Sequence, residues 1–345
     1  MTYAPRRRVW LWMAALVAVA GCSTHTPPAA WVDDEVTFVA EGLTLHGTYR
    51  HHPGASPAPA ALLISESGPT DRNGDNAVAG PVGTMRALAG LLSDRGVASL
   101  RYDKVGTGRT GLGPYAANPA QVGSATYDSG ARAAVRLLAG QPGTDKARLS
   151  VYALGEGTIH AMTLATDMGD APKIHSLGLL QPLPGRYLDL ITNRVRSTVD
   201  ADVNAGRQTR EQGDQTLAAW TAAVAQVRAG GPVPPNLPGE LSAILNPGNL
   251  RAVVDADAID PITLADRIRP DTPVLLTCSD SDAQASCQAM QPLAAALAHT
   301  NLDFVALKGV SHVLKDDPSD SVANYAKNQP LSPQLVSALD GFVSR

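Results

Sequence analysis

The chain has 345 residues, of which 44% are hydrophobic and 17% charged, and a formal net charge of −4 at pH 7. That length suffices for a large core in one domain, with room for an inserted subdomain. The mild acidity and scattered charges leave no basic footprint, which excludes nucleic acid as an expected partner.

The first residues read as an address. Arg6, Arg7 and Arg8 form a basic start, and Trp10 to Ala20 is an apolar run too short for a comfortable membrane span. Val19-Ala20-Gly21-Cys22 resembles the lipobox of bacterial lipoproteins, in which cleavage before the cysteine accompanies its lipidation. The expectation is a signal peptide over 1–21 and a lipid-bearing tether over 22–34. Acyl chains on Cys22 would hold the protein to the membrane of a bacterial cell envelope, since durable attachment takes more than one chain. The alternative is an ordinary export signal that happens to contain a cysteine.

Beyond the tether, Glu35 to Ala40 and Leu43 to Tyr49 alternate as a hairpin around Gly42. Ala60 to Ser65 is a short apolar run suited to a central strand, and it empties into the turn-rich Glu66-Ser-Gly-Pro-Thr-Asp-Arg-Asn-Gly74. A helix is predicted over Val82–Arg95, a strand over Val97–Tyr102 and a helix over Ala125–Ala139. Arg148 to His160 then reads as a buried strand, a tight turn and a helix start. Strand–turn–helix with glycines at the turn is the frame of a nucleophile elbow, Gly-x-Ser-x-Gly. Over that pattern, Ala153 takes the first glycine, Gly155 the serine and Gly157 the last glycine.

Ile174 to Leu180 is another strand, after which the strand pattern vanishes from Arg186 to about Leu250. Tyr187–Ala205 and Gln208–Ala229 are predicted helices, broken off by Pro232-Val-Pro-Pro235, and are expected to form an inserted helical cap over about 186–250. The sheet resumes with Pro273–Cys278 and Leu302–Leu307, separated by a helix near Met290–Ala298. A helix over Pro333–Val343 closes the chain. Cys278 and Cys287 are the only cysteines beyond Cys22. In an exported protein such a pair is most simply a disulfide, contributing about 2–3 kcal/mol on the loop-entropy account; the alternative is two buried thiols. No His or Cys cluster lies near them, so no metal site is expected. Alternating strands and helices after one hairpin predict a mostly parallel sheet covered on both faces, with ligands bound beyond the carboxyl ends of its strands.

Five motifs in this order resemble the α/β-hydrolases, in particular the esterase and serine-aminopeptidase-like branch. They are Ser67-Gly-Pro-Thr-Asp-Arg-Asn-Gly74, Leu100-Arg-Tyr-Asp-Lys104 with Gly106 and Gly108, Ala153-Leu-Gly-Glu-Gly-Thr158, Ser279-Asp-Ser-Asp-Ala-Gln284, and Gly309-Val-Ser-His-Val-Leu-Lys315. The likeness spans 35–345 and implies an eight-stranded, mostly parallel sheet with helices on both faces. It also implies a triad in which Asp282 is the acid and His312 the base, because a buried carboxylate fixes the histidine tautomer and stabilises the imidazolium. The backbone N–H groups of Glu156 and of Ser67 or Gly68 would form the oxyanion hole.

Two departures from the family pattern cut against serine chemistry. Gly155 has no side chain to attack a carbonyl, and Glu66 replaces the first glycine of the oxyanion loop, bringing an anion to a place that should stabilise one. A displaced nucleophile would have to be Ser150, inside the strand, or Thr158, one turn into the helix. Three functions follow as expectations. The first is a degenerate esterase that binds a small ester-like or acyl ligand under the cap. The second is an ester or amide hydrolase in which the His312/Asp282 pair activates water or a displaced nucleophile. The third is an envelope protein that engages a partner through the cap. No nucleotide loop or metal cluster is present in the sequence, so no cofactor is implied.

Overall fold

In a computed structural model of the chain, residues 1–2 and 30–343 are described, apart from 55, 168 and 170. Residues 3–21 of the expected signal peptide, Cys22 and the tether up to 29 lie outside the described residues, and the last three residues of the expected tether, 32–34, belong to the first strand.

β1 (Val32–Ala40) and β2 (Leu43–His51) form the predicted hairpin, turning at Glu41 and Gly42, both at positive φ. β3 (Ala58–Ile64), α1 (Thr84–Ser93), β4 (Ala98–Tyr102), α2 (Ser124–Gly140), β5 (Thr144–Leu154), α3 (Gly157–Thr166) and β6 (Ser176–Leu180) follow in alternation. The predicted first helix starts two residues late, because Gly83 sits at φ 74, outside the helical region. α4 (Tyr187–Asn204), α5 (Arg210–Arg228), α6 (Gly239–Ile244), α7 (Leu250–Ala258) and α8 (Pro261–Ala265) lead to β7 (Pro273–Ser279), so helix extends further along the chain than the sequence pattern predicts. α9 (Gln291–Ala296), β8 (Asn301–Leu307), α10 (Val322–Tyr325) and α11 (Pro333–Val343) complete the order.

The eight strands form one sheet in the order β1-β2-β4-β3-β5-β6-β7-β8. β2 pairs antiparallel with β1 and β4, and every other neighbour is parallel. Two-residue alternation divides the strand side chains between two cores. Leu62, Ile64, Val151, Leu177 and Leu276 pack beneath α2 and α3, whereas Leu63, Tyr152, Leu180 and Leu275 pack beneath α1 and α11. Both faces are covered, which is why the central strands read as unbroken apolar runs rather than alternating ones. Each fully buried Leu or Ile contributes about 1.5–3 kcal/mol of transfer free energy.

α4 to α7 hold a third core of their own, centred on Trp220 with Leu188, Val195, Val224 and Val253. The buried Trp220 indole N–H donates to Thr192 Oγ1 at 2.9 Å, so its polar atom is not stranded. Asp257, 1% exposed, accepts from the Leu188 N–H and from Arg186 and Arg228, tying the start of α4 to the end of α5 and α7.

Candidate active site

The loops beyond the carboxyl ends of β3, β5, β7 and β8 converge, as the parallel topology requires. β3 delivers Glu66, β5 delivers Gly155, β7 delivers Asp282 and β8 delivers His312.

The turn from β5 to α3 is built for close approach. Gly155 takes φ 55, a left-handed conformation that other residues adopt at a cost of about 1–2 kcal/mol. Its N–H donates to Leu180 O at 3.2 Å. A Cβ at Gly157 would stand 2.7 Å from Ser65 O, so the start of α3 can lie against the end of β3 only without one. A Cβ at Gly155 would stand 1.7 Å from Glu66 Oε2. The space in which the family resemblance puts the serine side chain is therefore filled by a carboxylate from the neighbouring loop.

That carboxylate completes a linear array. Glu66 Oε2 lies 2.7 Å from His312 Nε2, and His312 Nδ1 lies 2.7 Å from Asp282 Oδ2. Glu66 Oε1 accepts the Ser67 N–H at 2.7 Å, so one of the expected oxyanion donors serves an oxyanion already present. Asp282, 1% exposed, holds its other oxygen on the N–H groups of Gln284 (2.8 Å) and Ala285 (3.1 Å). Lys104 Nζ donates to the backbone oxygens of Ser65 and Glu66, steadying the loop from below.

Protonation follows from this geometry. Burial alone would push Glu66 up, but the facing His312 and the Ser67 N–H override it and hold the carboxyl at about 2. Burial alone would push His312 down, but Glu66 and Asp282 override it and raise it well above 6.5. Both ring nitrogens face carboxylate oxygens, which only accept when ionised, so His312 is an imidazolium donating from each. In that state it has no lone pair with which to take a proton.

The expected acid and base are thus brought together, and their loops are stitched to each other. Ser279 Oγ donates to Val310 O at 2.6 Å, and the Gly309 N–H donates to Asp280 Oδ1 at 2.8 Å. Cys278 and Cys287 form a disulfide with Cα atoms 4.9 Å apart, bracketing the Asp282 loop. Behind His312, Asp320 accepts both the His312 N–H and the Tyr325 hydroxyl at 2.7 Å, a support absent from the sequence reading. Burial is the main cause holding the Asp320 carboxyl above its usual range.

Gly68, at φ 64, has open space where a Cβ would stand. Glu156 lines a small cavity with His160 and Tyr187, and its backbone follows Gly155 directly at the turn into α3. The hydroxyls weighed as displaced nucleophiles are spent elsewhere, with Ser150 Oγ 2.7 Å from Ser176 Oγ and Thr158 Oγ1 donating to Gly155 O at 2.6 Å. What the sequence reading missed is the placement of Glu66. Its only trace in the sequence is that the two departures, a lost side chain at 155 and a gained one at 66, occur together.

Glu66 and His312 open into a cavity of about 410 Å³ whose walls include Val82, Met85, Leu154, Val313 and Tyr325. Arg194 of α4 lines this cavity and also a second one of about 710 Å³ among α4, α5 and α6.

No family model matches the chain, and no curated protein matches it. Solved structures do. It is similar to an esterase of Pyrococcus furiosus (TM-score 0.55, 13% identity, 91% of this chain and 91% of that chain). It is also similar to Est1E from Butyrivibrio proteoclasticus (TM-score 0.53, 14% identity, 90% of this chain and 99% of that chain). A third is the 2,6-dihydroxy-pseudo-oxynicotine hydrolase (TM-score 0.52, 15% identity, 90% of this chain and 68% of that chain). With its eight-stranded, mostly parallel sheet and helices on both faces, the chain has the α/β-hydrolase fold.

Proposed function

We propose that this protein is a lipid-anchored envelope protein that keeps a hydrolase pocket for binding a small ester-like or acyl ligand, and that it does not cleave esters through an acyl-serine. One observation carries the reading. Glu66 Oε2 occupies the nucleophile's place and forms an ion pair with His312. Serine-type catalysis needs a hydroxyl at that point and a neutral imidazole to take its proton. Here the first is replaced by a carboxylate and the second is already protonated. The Ser67 N–H, which would stabilise a tetrahedral oxyanion, is committed to Glu66 Oε1.

The same observation weighs against activation of water by the resting His312/Asp282 pair, since an imidazolium accepts no proton. A cap-mediated partner role has no comparable geometric support. Attachment through Cys22 rests on the sequence pattern alone.

The test is hydrolysis of p-nitrophenyl butyrate by the full chain, beside His312→Ala. The expected result is no turnover above the His312→Ala background. Turnover that His312→Ala removes would overturn the reading.

A further inference from the structure

The sheet holds a further cavity, of about 120 Å³, at the amino ends of its parallel strands. Ser150 lines it from β5, and Gly155 lies five residues further along, roughly 16 Å in extended chain. The cavity is therefore at the opposite end of the sheet from Glu66 and His312. Pro59 of β3, Pro273 of β7 and Phe342 of α11 give it an apolar wall. The Phe342 ring meets the Tyr152 ring edge-on, with centroids 6.3 Å apart and planes at 88°. The polar part of the lining has donors to spare. Ser150 Oγ and Ser176 Oγ lie 2.7 Å apart, so one hydroxyl donates to the other and the second proton has no acceptor among the described residues. Tyr152 also lines the cavity at 2% exposure, and its hydroxyl has no hydrogen-bond partner among the described residues. Burial raises the pKa of that hydroxyl, which keeps its proton in place as a donor. Native structures seldom leave a buried hydroxyl unanswered. At the rim, Arg148 Nε donates to Asp145 Oδ2 at 2.7 Å, and both terminal guanidinium nitrogens are without a partner among the described residues.

We propose that this cavity is a binding site for a small monocarboxylate with a compact apolar body. A ligand that answers spare donors must bring acceptors and no proton of its own, which is what an ionised carboxyl group does. Its two oxygens match the Tyr152 hydroxyl, the free proton of the Ser150–Ser176 pair and the planar end of Arg148, and hydrogen bonds to a charged acceptor are the strong ones. Pro59, Pro273 and Phe342 then cover the apolar body. An apolar cavity of about 150 Å³ takes a benzene ring, so the volume here suits a single ring or a short branched chain. Bound there, the ligand touches β5, β6 and α11 together and stabilises the folded chain by mass action. The proposal is independent of what Glu66 and His312 do.

The experiment titrates benzoate into the full chain by calorimetry, beside Tyr152→Phe and Arg148→Gln, with their folds checked by circular dichroism. Saturable binding is expected, weakened about 10–100-fold by Tyr152→Phe, the range for losing a hydrogen bond to a charged group. Arg148→Gln is expected to weaken it by a similar factor, and benzamide, the neutral counterpart, to bind at least about 10-fold more weakly than benzoate. Light-driven labelling with 4-azidobenzoate, mapped by mass spectrometry, is expected in the peptides of β5, β6 or α11. No saturable binding of benzoate overturns the proposal, as does binding that neither substitution weakens. Equal binding of benzamide overturns the carboxylate class, and labelling confined to the Glu66 and His312 loops overturns the location. Should Tyr152→Phe fail to fold, the labelled peptides of the wild type decide alone.

Discussion

The two halves of the site have fared differently. On the loops after β7 and β8, Asp282 and His312 stand as serine catalysis would want them, 2.7 Å apart and braced by backbone N–H groups, a disulfide and Asp320. On the loops after β3 and β5, the side chain expected at position 155 is absent and one from position 66 lies in its space. The two halves are joined by Glu66 Oε2 against His312 Nε2 and by Lys315 Nζ donating to Val82 O. The second half offers His312 a hydrogen-bond acceptor, and a charged one. An intact acid–base pair is therefore no sign of an intact reaction, and the residues at 66 and 155 form one structural unit.

The sharpest way to break the comparison is to exchange both members of that unit. Glu66→Gly with Gly155→Ser clears the space, supplies a hydroxyl and frees both His312 and the Ser67 N–H. The double variant is expected to gain p-nitrophenyl butyrate hydrolysis at least about 100-fold above either single one, because nucleophile, base and oxyanion hole act as a unit. Gly155→Ser alone is expected to stay inactive, since its Cβ would fall on Glu66 Oε2. Equal activity in the single and double variants would show that the two positions are not coupled.

A stability measurement isolates the same overlap. Gly155 and Gly68 both have left-handed φ, 55 and 64. A Cβ at Gly68 meets nothing within 4 Å, whereas one at Gly155 drives Glu66 off His312. Gly68→Ala should cost about 1–2 kcal/mol for the backbone alone. Gly155→Ala should cost about 3–5 kcal/mol, the range for breaking a buried pair by dislodging one partner. Urea unfolding reads the difference, and equal costs would mean that Glu66 moves aside freely.

Much of this was legible in the chain, for physical reasons. Two-faced burial makes β3, β5, β6 and β7 short apolar runs, and their order fixes which loops meet, so Asp282, His312 and Gly155 could be placed before any coordinates. Some helix ends were not: Gly83 looks like a tolerable helix residue until its φ of 74 excludes it. The direction of Glu66 was not legible either. It depends on whether a Cβ stands at 155, on another loop, and no local periodicity records such a contact. Likewise, the support that Asp320 and Tyr325 give His312 arises from a loop and the four-residue α10, which carry no apolar pattern.

A smaller effect should come from the brace on the intact half. Cys278→Ala with Cys287→Ala removes a short closed loop and should cost about 2–3 kcal/mol in urea unfolding. Neither cysteine is a hydrogen-bond or ion-pair partner of Glu66 or His312, so this cost should add to that of Glu66→Gln rather than overlap it. Strong non-additivity would place the bracketed loop within the same cooperative unit as Glu66.

Glu66→Gln itself tests the charge of the contact with the least change of shape. It replaces a carboxylate facing an imidazolium by a neutral amide, and should cost about 1.5–3 kcal/mol, the range for a hydrogen bond to a charged group. Its pH dependence carries more information than its size. Glu66 is held at about 2, below its ordinary 4.5, so its contribution is present above about pH 4.5 and is lost as the pH falls toward 2. His312 is raised well above 6.5, so its contribution is complete below 6.5 and is lost as the pH rises through the raised value. The two conditions overlap between about pH 4.5 and 6.5, where the stability difference between wild type and Glu66→Gln should peak. Urea unfolding at about pH 3, 5.5 and 9 should find a smaller gap at both extremes than in the middle. A gap that keeps growing with pH would mean that His312 is neutral against Glu66. The base would then be free, and a water-activating hydrolase would replace the binding protein as the better account of the pocket.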